Sequence, residues 1–295
     1  MATSIGSRIR LRRSSNNGAR SVRLKRVGHG QINFWRGGSL WIGLAKSGTD
    51  VHAHHAIQLS IGLKGAVRFR SPAADRWTEY TAALVPPHVP HAFVAEGSVV
   101  ANIFCEPESV TGRNLLERFG TREIAAVAQR EADAAAKRLR DSYAASEPDE
   151  ALNVAARTVL ATIAAAAETA PATDARVLKA IAAIEQRLGR SMTLGEVAAS
   201  VHLSPSRFRH LFVAETGVAF RPYVLWLRLQ AALEHALAGE SWTEAATHAN
   251  FADSAHLTRT FKRMFGVVPA ALDGMEAALG RASLARSSDG SPPQR

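Results

Sequence analysis

The feature that most restricts the fold of this chain is a pattern that occurs twice, 48 residues apart, within residues 193–266. In each copy a hydroxyl residue stands three positions before a glutamate, as Thr193 before Glu196 and Ser241 before Glu244. This spacing is the capping box, in which the two side chains satisfy free N–H groups at the start of a helix. We therefore predict two copies of one unit, each made of a helix, a tight turn and a second helix.

The predicted turns depend on one residue in each copy. His202 and Asn250 stand where the chain must reverse, a place that usually needs a residue in the left-handed region. Asn and His are among the non-glycine residues that adopt positive φ most often. Ser204 and Asp253 then have the residue types that cap a helix, and Pro205 suits a first turn because it lacks an N–H. The second helix of each copy is thus predicted to begin directly after the turn.

Each predicted second helix has an apolar face and a polar face. The apolar stripes consist of Phe208, Leu211 and Phe212 in the first copy and of Leu257, Phe261 and Phe265 in the second. Arginine can bind guanine bidentately in the major groove, and Ser, Thr and His can contact bases or phosphates. The residues that we predict to contact DNA are Ser206, Arg207, Arg209, His210, Ser254, His256, Thr258, Arg259 and Lys262. Two ordinary helical hairpins with solvated faces are the alternative, and the repetition argues against them.

Residues 174–273 resemble the double helix-turn-helix DNA-binding domain of AraC/XylS-type transcription regulators. The resemblance is carried by residues 194–201, 203–208, 212–217, 250–254, 257–262 and 265–269, and by Tyr223, Arg228, Leu229 and Ala232 on the connecting helix. The family usually has glycine where this chain has His202 and Asn250. The resemblance implies that two recognition helices enter successive major-groove segments of double-stranded DNA about 34 Å apart. It also implies a homodimer and contact with RNA polymerase.

The composition limits the class of protein. With 295 residues, of which 46% are hydrophobic, the chain is long enough for two domains. No apolar run reaches the roughly 18 residues that a membrane span needs. The single cysteine, Cys105, excludes an internal disulfide, and we predict that it packs in a core strand. We expect a bacterial cytoplasmic protein, associated with the nucleoid and without a membrane partner.

The net charge of +10 is concentrated at one end of the chain. Residues 1–30 contain eight basic residues and no acidic one. The motif, not the overall charge, therefore indicates DNA binding, and local pairs such as Arg207 with Arg209 and Lys262 with Arg263 must attract phosphates. We interpret residues 1–30 as a disordered basic arm. A wrongly assigned start codon and a transit peptide are the alternatives, whereas the missing apolar segment excludes a secretory signal.

In residues 31–106 apolar and polar residues alternate with a period of two, and turn residues interrupt this alternation. The pattern predicts short strands. The predicted strands cover residues 40–45, 57–63, 66–69, 81–85 and 99–104, and they indicate a small β-barrel or jelly roll. Alternation places His52, His54 and Gln58 on one face of one strand, and a later strand can bring His91 beside them. These four residues form a candidate effector or metal site.

The histidine spacing resembles the two motifs of the cupin barrel, whose ligands are two histidines, a carboxylate and a third histidine. His52, His54 and His91 match the histidine positions, whereas Gln58 stands where the family has glutamate and His88 where it has glycine. Neutral imidazoles bind zinc, nickel, copper or iron, but an amide is a weaker ligand than a carboxylate. We therefore predict that the site binds either a divalent transition metal or an organic effector. Sensor domains of AraC-type regulators commonly have such barrels without metal.

Beyond residue 106 the periodicity becomes helical. Helices predicted over 114–139, with a break near Gly120, and over 151–167 would pack on the barrel. The family resemblance implies that they pair two subunits, and packing within one chain is the alternative. Residues 168–173 are interpreted as a linker, followed by Thr173 or Asp174 as a helix cap.

The predicted fold class is α+β multidomain, with an N-terminal cupin-like β-barrel, flanking helices and a C-terminal all-α double helix-turn-helix domain. The predicted domains are a disordered basic arm (1–30), a sensor barrel (31–106), a helical dimerisation and linker region (107–169), the DNA-binding domain (174–273) and a disordered tail (274–295).

These patterns predict a sequence-specific transcription regulator rather than an enzyme. In this hypothesis the barrel binds a small molecule or a metal, and the ligand changes how the paired helix-turn-helix units engage DNA for activation or repression. The competing hypothesis is a cupin-type metalloenzyme that holds a metal with His52, His54 and His91 and carries a helical appendage. Gln58 at the carboxylate position argues against it. A DNA-binding protein with a purely structural barrel is a third hypothesis.

Overall fold

The computed structural model of the chain describes residues 30–74, 76–145, 149–165, 170–272 and 275–279. An N-terminal β domain and the helices that cover it precede a C-terminal domain made of helices. The predicted fold class is therefore confirmed. No helix in the described part of the chain combines the length and the apolar character needed to span a bilayer. The predicted basic arm lies outside the described residues except for Gly30.

The β domain contains two sheets. Its strands are β1 (Gly30–Trp35), β2 (Gly38–Leu44), β3 (Ile57–Lys64), β4 (Val67–Arg70), β5 (Thr78–Tyr80), β6 (Ala82–Val85), β7 (Ala92–Val94), β8 (Val99–Cys105), β9 (Ala125–Ala126) and β10 (Met275–Leu279). The larger sheet has the order β10-β1-β2-β8-β3-β6-β9, and the smaller has the order β5-β4-β7. Phe69 and Phe93 of the smaller sheet share one hydrophobic cluster with Val85 and Val100 of the larger. The predicted barrel thus consists of two sheets packed face to face.

Three helices cover the outer face of the larger sheet. They are α1 (Val110–Phe119), α2 (Gln129–Ala144) and α3 (Asp149–Ala164). Alternate strand residues such as Leu59 and Ile61 meet these helices in one core, because alternate residues of a strand point to the same side. Cys105 lies in this core at the end of β8, as predicted. The break predicted near Gly120 is also confirmed, since Gly120 ends α1 with φ 80°.

The C-terminal domain repeats one helical unit around a long central helix. Its helices are α4 (Ala175–Glu185), α5 (Leu194–Ser200), α6 (Pro205–Thr216), α7 (Phe220–Leu237), α8 (Trp242–His248) and α9 (Ser254–Phe265). The first unit is α5 with α6, and the second is α8 with α9. Phe208, Phe212 and Phe261 are fully buried, and each contributes roughly 1.5–3 kcal/mol by leaving water. This packing stabilises the seven-residue helices α5 and α8, which would be marginal alone.

The local signals predicted for both units are confirmed. Both capping boxes form, with the hydroxyl accepting from the backbone and the glutamate accepting in return. Each turn contains one left-handed non-glycine residue, His202 at φ 56° and Asn250 at φ 58°. Ser204 and Asp253 cap α6 and α9, and Asp174 caps α4.

One prediction about the β domain is wrong, and several strands were not predicted. His52 and His54 do not lie on a strand with Gln58, because β3 begins only at Ile57 and His52 forms an isolated bridge with His91. The rings of these histidines turn back onto nearby backbone carbonyl groups, which keeps this segment irregular. The strands β1, β5, β7 and β9 were not predicted, and β5, β7 and β9 have only two or three residues each, too few to show a period.

The prediction of a disordered tail over 274–295 is wrong for Met275–Leu279. These residues form β10, which pairs in parallel with β1. The reason is that β1 would otherwise present an open edge of unpaired N–H and C=O groups, which a following segment can cover. Residues 280–295 of the predicted tail lie outside the described part of the chain.

Candidate DNA-binding surface and interdomain site

Helix α6 displays the donors that were predicted for the first unit. Ser206, Arg207, Arg209 and His210 are exposed, whereas Phe208 between them is fully buried. The side chains therefore separate onto two faces as helical spacing requires. A rigid helix fixes the donors relative to one another, which direct readout of base edges needs. Their contact with DNA stays a prediction.

Helix α9 carries the predicted contacts of the second unit. They are Ser254, His256, Thr258, Arg259 and Lys262. Arg259 and Lys262 are exposed, and the other three are partly buried. The Thr258 hydroxyl donates to the carbonyl oxygen of Ser254 at 2.9 Å. The Lys262 ammonium pairs with the carboxylate of Asp50, in the β domain, at 3.1 Å. One predicted DNA contact is therefore already engaged by the other domain.

The three predicted histidines of the β domain converge. Ring centroids lie 4.2 Å apart for His52 and His91, 5.2 Å for His54 and His91, and 5.7 Å for His52 and His54. One ligand atom of each ring lies within 4.8 Å of those of the others. Reciprocal backbone hydrogen bonds of 2.9 Å between His52 and His91 join the two segments. His88, at the glycine place of the cupin motif, has φ 60° and so adopts the backbone conformation that glycine favours.

Gln58 extends the cluster into a polar row on the inner face of the larger sheet. Its amide oxygen Oε1 lies 2.9 Å from Nε2 of His54, and its amide nitrogen donates to the Ser60 hydroxyl at 2.9 Å. The Ser60 hydroxyl donates in turn to Oδ1 of Asn102 at 2.6 Å. The structure therefore brings together all four predicted site residues and adds Ser60 and Asn102.

Burial keeps the clustered imidazoles neutral. Burial first, and the neighbouring histidines second, lower the pKa of His54 to about 4 and that of His91 to about 2. The pKa of His52 is also lowered, chiefly by burial. At neutral pH the rings are therefore uncharged, the state in which imidazole nitrogen can bind a metal ion.

A cavity of about 180 Å³ lies beside this cluster, between the two domains. Its lining includes Trp41, Lys46, His52, Gln58, Asn102 and Phe104 from the β domain and Phe265, Val267 and Leu272 from the C-terminal domain. The space thus has apolar walls from both domains and polar groups on the side of the sheet.

The end of α9 touches the histidine cluster at Gly266. This residue ends α9 in the left-handed conformation, at φ 71°, and its carbonyl oxygen accepts from the N–H of Asp50 at 2.9 Å. A β-carbon on Gly266 would lie 2.6 Å from Nδ1 of His52 and 2.8 Å from Cβ of Thr49. Only glycine permits both the conformation and this close approach.

Two aromatic residues of the C-terminal domain close the cluster. The rings of Trp226, on α7, and Phe265, on α9, each lie 6.3 Å from that of His54. Phe265 also lies 4.9 Å from Trp41 and 5.9 Å from Phe104. The two domains therefore share one hydrophobic core at this point.

A buried polar network joins the domains at Glu108, just after β8. Its carboxylate accepts hydrogen bonds from the Tyr223 hydroxyl, on α7, and from Nε2 of His55 at 3.1 Å. Burial alone would raise the pKa of Glu108, but the hydrogen bonds from His55 and Tyr223 outweigh it and hold this pKa below its usual value. Burial and the adjacent carboxylate raise the pKa of Tyr223. Glu108 is thus held as a carboxylate and Tyr223 as a neutral hydroxyl between the domains.

A second polar contact lies at the rim of the interface. Arg113 of α1 forms an ion pair with Glu215, near the end of α6, and its Nε donates to the Thr173 hydroxyl at 2.6 Å. That hydroxyl donates to the carbonyl oxygen of Glu108 at 2.6 Å, and Glu215 accepts from the N–H of Asp174 at 3.1 Å. The segment that leads into α4 is therefore fixed to both domains.

The sequence predicted the histidines but not the residues that connect them to the C-terminal domain. Those residues are Asp50, His55, Glu108, Tyr223, Trp226 and Gly266. The position of His55 directly after His54 was the one available signal. The others depend on contacts between residues more than 100 positions apart, which no local pattern contains.

The fold and these surfaces define a protein in which a β domain is joined to a double helix-turn-helix domain. Residues 197–274 match the family described as "Helix-turn-helix domain". This match confirms the resemblance seen in the sequence: the chain carries a C-terminal DNA-binding domain of the AraC type.

Two curated proteins match part of the chain. They are the uncharacterized HTH-type transcriptional regulator YidL of Escherichia coli K12, 34% identical over 98 residues, and the regulatory protein PocR of Salmonella typhimurium, 30% identical over 100 residues. Each match covers 33% of this chain and 33% of the relative, so the chain spans about a third of the length of these relatives.

A solved structure matches both domains. The crystal structure of ToxT from Vibrio cholerae O395 superposes with a TM-score of 0.52 and 12% identity, over 79% of this chain and 95% of ToxT. At this identity the likeness establishes the two-domain fold.

Proposed function

We propose that this protein is a sequence-specific transcription regulator of the AraC/XylS type whose β domain binds a small effector in the cavity between the domains. The observation that carries the proposal is the pair of recognition helices, α6 and α9, with hydrogen-bond donors on their outer faces. Double-stranded DNA is the partner that suits two such helices on one domain, because successive major-groove segments recur on one side of the duplex.

The position of the cavity supports an effector that acts on DNA binding. Phe265 and Leu272 of the C-terminal domain form one wall, and Trp41 and Phe104 of the β domain form another. A ligand in this space touches the end of α9, so its affinity depends on the relative placement of the domains. A difference in affinity between two arrangements is what a ligand needs in order to shift their populations.

The lining of the cavity favours a small, mostly apolar molecule with one acidic end. Aromatic and aliphatic walls with a few polar groups are usual for small-molecule sites. Gln58 and Asn102 provide hydrogen-bonding groups on the inner side, and the exposed Lys46 provides positive charge at the rim. A carboxylate near Lys46, with the apolar body between Trp41 and Phe265, would use both kinds of surface.

The ion pair between Lys262 and Asp50 supports a route from the effector to DNA. Lys262 is a predicted phosphate or base contact, and in this arrangement Asp50 of the β domain holds it. The DNA phosphates and Asp50 therefore compete for one ammonium group. An effector that moves the β domain away from α9 would release Lys262 for DNA.

Replacing Arg209 with alanine tests the DNA-binding assignment. We expect binding to the specific site to weaken by about 1–3 kcal/mol, with relaxed specificity at one or two base pairs, because a bidentate contact with a base edge is lost. Arg259→Ala, on the second recognition helix, should likewise weaken specific binding and relax specificity at one or two base pairs. The target site comes from genome-wide mapping of occupied DNA, and titrations on this site and on random DNA measure the two affinities.

The matched control for these variants is Arg221→Ala, which removes an exposed arginine from α7 instead of a recognition helix. We expect little change in specificity from this control. Equal weakening on specific and random DNA in Arg209→Ala would show that Arg209 contacts phosphate and not a base. Unchanged binding in both recognition-helix variants would contradict the DNA-binding surface itself.

Deleting residues 1–29, which leaves β1 intact, should reduce mainly the sequence-independent affinity. Eight basic residues without an acidic one can follow any phosphate backbone, and each contact releases counterions. The slope of log affinity against log salt concentration should therefore flatten, while the preferred sequence stays the same. An unchanged slope would show that the arm does not contact DNA.

A cupin-type metalloenzyme is the second candidate, favoured by the convergence of His52, His54 and His91. Gln58 in place of a carboxylate argues against it, since the amide is the weaker ligand and the poorer base. Loss of promoter control in Arg209→Ala cells favours regulation, because an enzyme would not depend on α6.

The family resemblance further leads us to infer a homodimer that contacts RNA polymerase and works at the nucleoid in the bacterial cytoplasm. Sedimentation equilibrium of the full chain tests the dimer, and a monomer at micromolar concentration would contradict it.

A further inference from the structure

We propose that His235, Glu240 and His248, at the corner between α7 and α8, bind one divalent transition-metal ion such as Zn²⁺. The three side chains lie in the C-terminal domain, where the chain enters the second helix-turn-helix unit. They belong neither to the lining of the cavity between the domains nor to the predicted DNA contacts. The proposal goes beyond the regulation of DNA binding proposed above, so either proposal can fail while the other holds.

The backbone brings the three side chains together. His235 lies in the last turn of α7, and His248 ends α8. Glu240 lies in the connection, directly after Gly239, which has φ 106° and so adopts a conformation that other residues rarely adopt. The N–H of Glu240 donates to the carbonyl oxygen of His235 at 3.2 Å. Two helices and the turn between them therefore provide one side chain each.

The distances suit one ion. Nδ1 of His235 lies 2.9 Å from Oε1 of Glu240, and Nδ1 of His248 lies 2.7 Å from Oε2. The imidazole ring centroids are 5.1 Å apart, so both rings face the same carboxylate. One ligand atom of each residue lies within 4.8 Å of those of the others. Ligand atoms bound to zinc at about 2.0–2.1 Å in a tetrahedron lie roughly 3.3 Å apart, so shifts of less than roughly 1 Å place an ion between them.

The tautomer of each ring can adapt to the ion. A carboxylate only accepts, so without metal each Nδ1 carries a hydrogen that it donates to Glu240. A neutral imidazole can carry this hydrogen on Nε2 instead, which leaves the lone pair of Nδ1 for a metal. All three side chains are partly exposed, so the ion and a water molecule at its fourth position have access from solvent. The ion would thus take the place of two hydrogen bonds.

The charge of the cluster favours a cation. Among the described residues, the ion-pair partners of Glu240 are these two imidazoles and no lysine or arginine. With neutral imidazoles the cluster therefore carries one negative charge. Both histidines lie in the last turn of a helix, where the free carbonyl groups add negative partial charge. A divalent ion would compensate both contributions.

The first helix-turn-helix unit provides an internal comparison. At the 48-residue offset of the repeat, the corresponding positions hold Arg187, Met192 and Ser200, which are not a set of metal ligands. Both units nevertheless form a capping box and a first helix of seven residues. The fold of this corner therefore does not require two histidines and a glutamate, and metal binding gives a chemical reason for their convergence.

The ligand types select the class of metal. Two histidines and one glutamate with an open fourth position form a known zinc ligand set, whereas Mg²⁺ and Ca²⁺ take oxygen ligands. The ion would connect α7 with the residues at both ends of α8, because Glu240 precedes this helix and His248 ends it. A helix of seven residues is marginal alone. Metal binding should therefore stabilise the second unit.

The test uses the full chain without a polyhistidine tag, stripped with a chelator and then dialysed. We expect calorimetric titration with Zn²⁺ to show one equivalent fewer for His235→Ala/His248→Ala than for the wild-type chain. Counting by difference removes the contribution of any ion held elsewhere. The matched control is His202→Asn, which removes an exposed histidine of the same domain and keeps a residue type that adopts positive φ at Asn250. This control should bind as many equivalents as the wild-type chain.

Two further readouts assign the binding to this site. Glu240→Gln should lower the affinity for this equivalent by at least about 10-fold, because an amide replaces a carboxylate ligand. Zn²⁺ should raise the melting temperature of the wild-type chain more than that of the double variant, since an ion that binds the native state stabilises it. Circular dichroism without metal establishes that the variants fold.

Three results would overturn the proposal. The first is that the wild-type chain binds no Zn²⁺, and the second is that it binds the same number of equivalents as His235→Ala/His248→Ala. The third is an affinity that does not change in Glu240→Gln, which would exclude the carboxylate as a ligand.

Discussion

Replacing Glu108 with alanine is expected to lower the free energy of unfolding by about 3–5 kcal/mol and to make the two domains unfold separately. The variant leaves the Tyr223 hydroxyl and Nε2 of His55 without an acceptor at a buried place between the domains. Unpaired buried donors carry their full desolvation cost. In differential scanning calorimetry, Glu108→Ala should therefore show two unfolding transitions where the wild-type chain shows one.

Two variants control for this result. Glu117→Ala removes an exposed carboxylate from α1 and should change the free energy of unfolding little. Tyr223→Phe removes one hydroxyl and keeps the ring, so we expect a smaller loss of about 1–3 kcal/mol. If Glu108→Ala unfolds in one transition at the temperature of Glu117→Ala, the network does not hold the domains together.

The effect of Glu108 should also depend on pH in a defined direction. The pKa of Glu108 in the folded protein lies below its ordinary value of 4.5. The unfolded chain therefore binds the proton more tightly, so the stabilisation is complete above about pH 4.5 and is lost as the pH falls through the folded pKa. The difference in stability between wild type and Glu108→Gln should shrink in that acid range.

Gly266→Ala is expected to lower the free energy of unfolding by about 2–5 kcal/mol and to separate α9 from the β domain. A left-handed conformation costs alanine about 1–2 kcal/mol, and the clash of a new methyl group adds about 1–3 kcal/mol. That methyl group would meet the backbone of Asp50 and the ring of His52. Urea unfolding measures the loss, and limited proteolysis should show a newly accessible interface.

Gly217→Ala is the matched control, because Gly217 ends α6 at φ 72° as Gly266 ends α9 at φ 71°. A β-carbon on Gly217 would meet nothing within 4 Å. The free energy of unfolding of this variant should therefore fall only by the cost of the left-handed conformation for alanine, about 1–2 kcal/mol. Equal losses in the two variants would show that the contact with Asp50 and His52 contributes nothing to stability.

The helix-turn-helix units could be predicted because their signals are local. A capping box, a left-handed turn residue and an N-cap each involve residues fewer than five positions apart, and each determines a helix end by its own hydrogen bonds. His202 and Asn250 show the strength of these signals, since both adopt positive φ without being glycine.

The histidine site could be predicted only in part. The spacing of His52, His54 and His91 indicated that they converge, but the path of the segment before β3 depends on the bridge to His91 and was not visible. The wall formed by Trp226 and Phe265 could not be predicted, because it depends on how two domains dock. Hydrophobic periodicity predicts that such side chains are buried, but it does not predict which residues they pack against.

The parallel ladder between β1 and β10 has a mechanical consequence. The C-terminal domain leaves the β domain through the segment before α4 and returns to it through β10, so the backbone connects the two domains at two points. A body hinged at two points turns about the line that joins them and cannot swing freely. Rotation about this line would turn α6 and α9 together, so their spacing on DNA stays fixed while their orientation relative to the β domain changes.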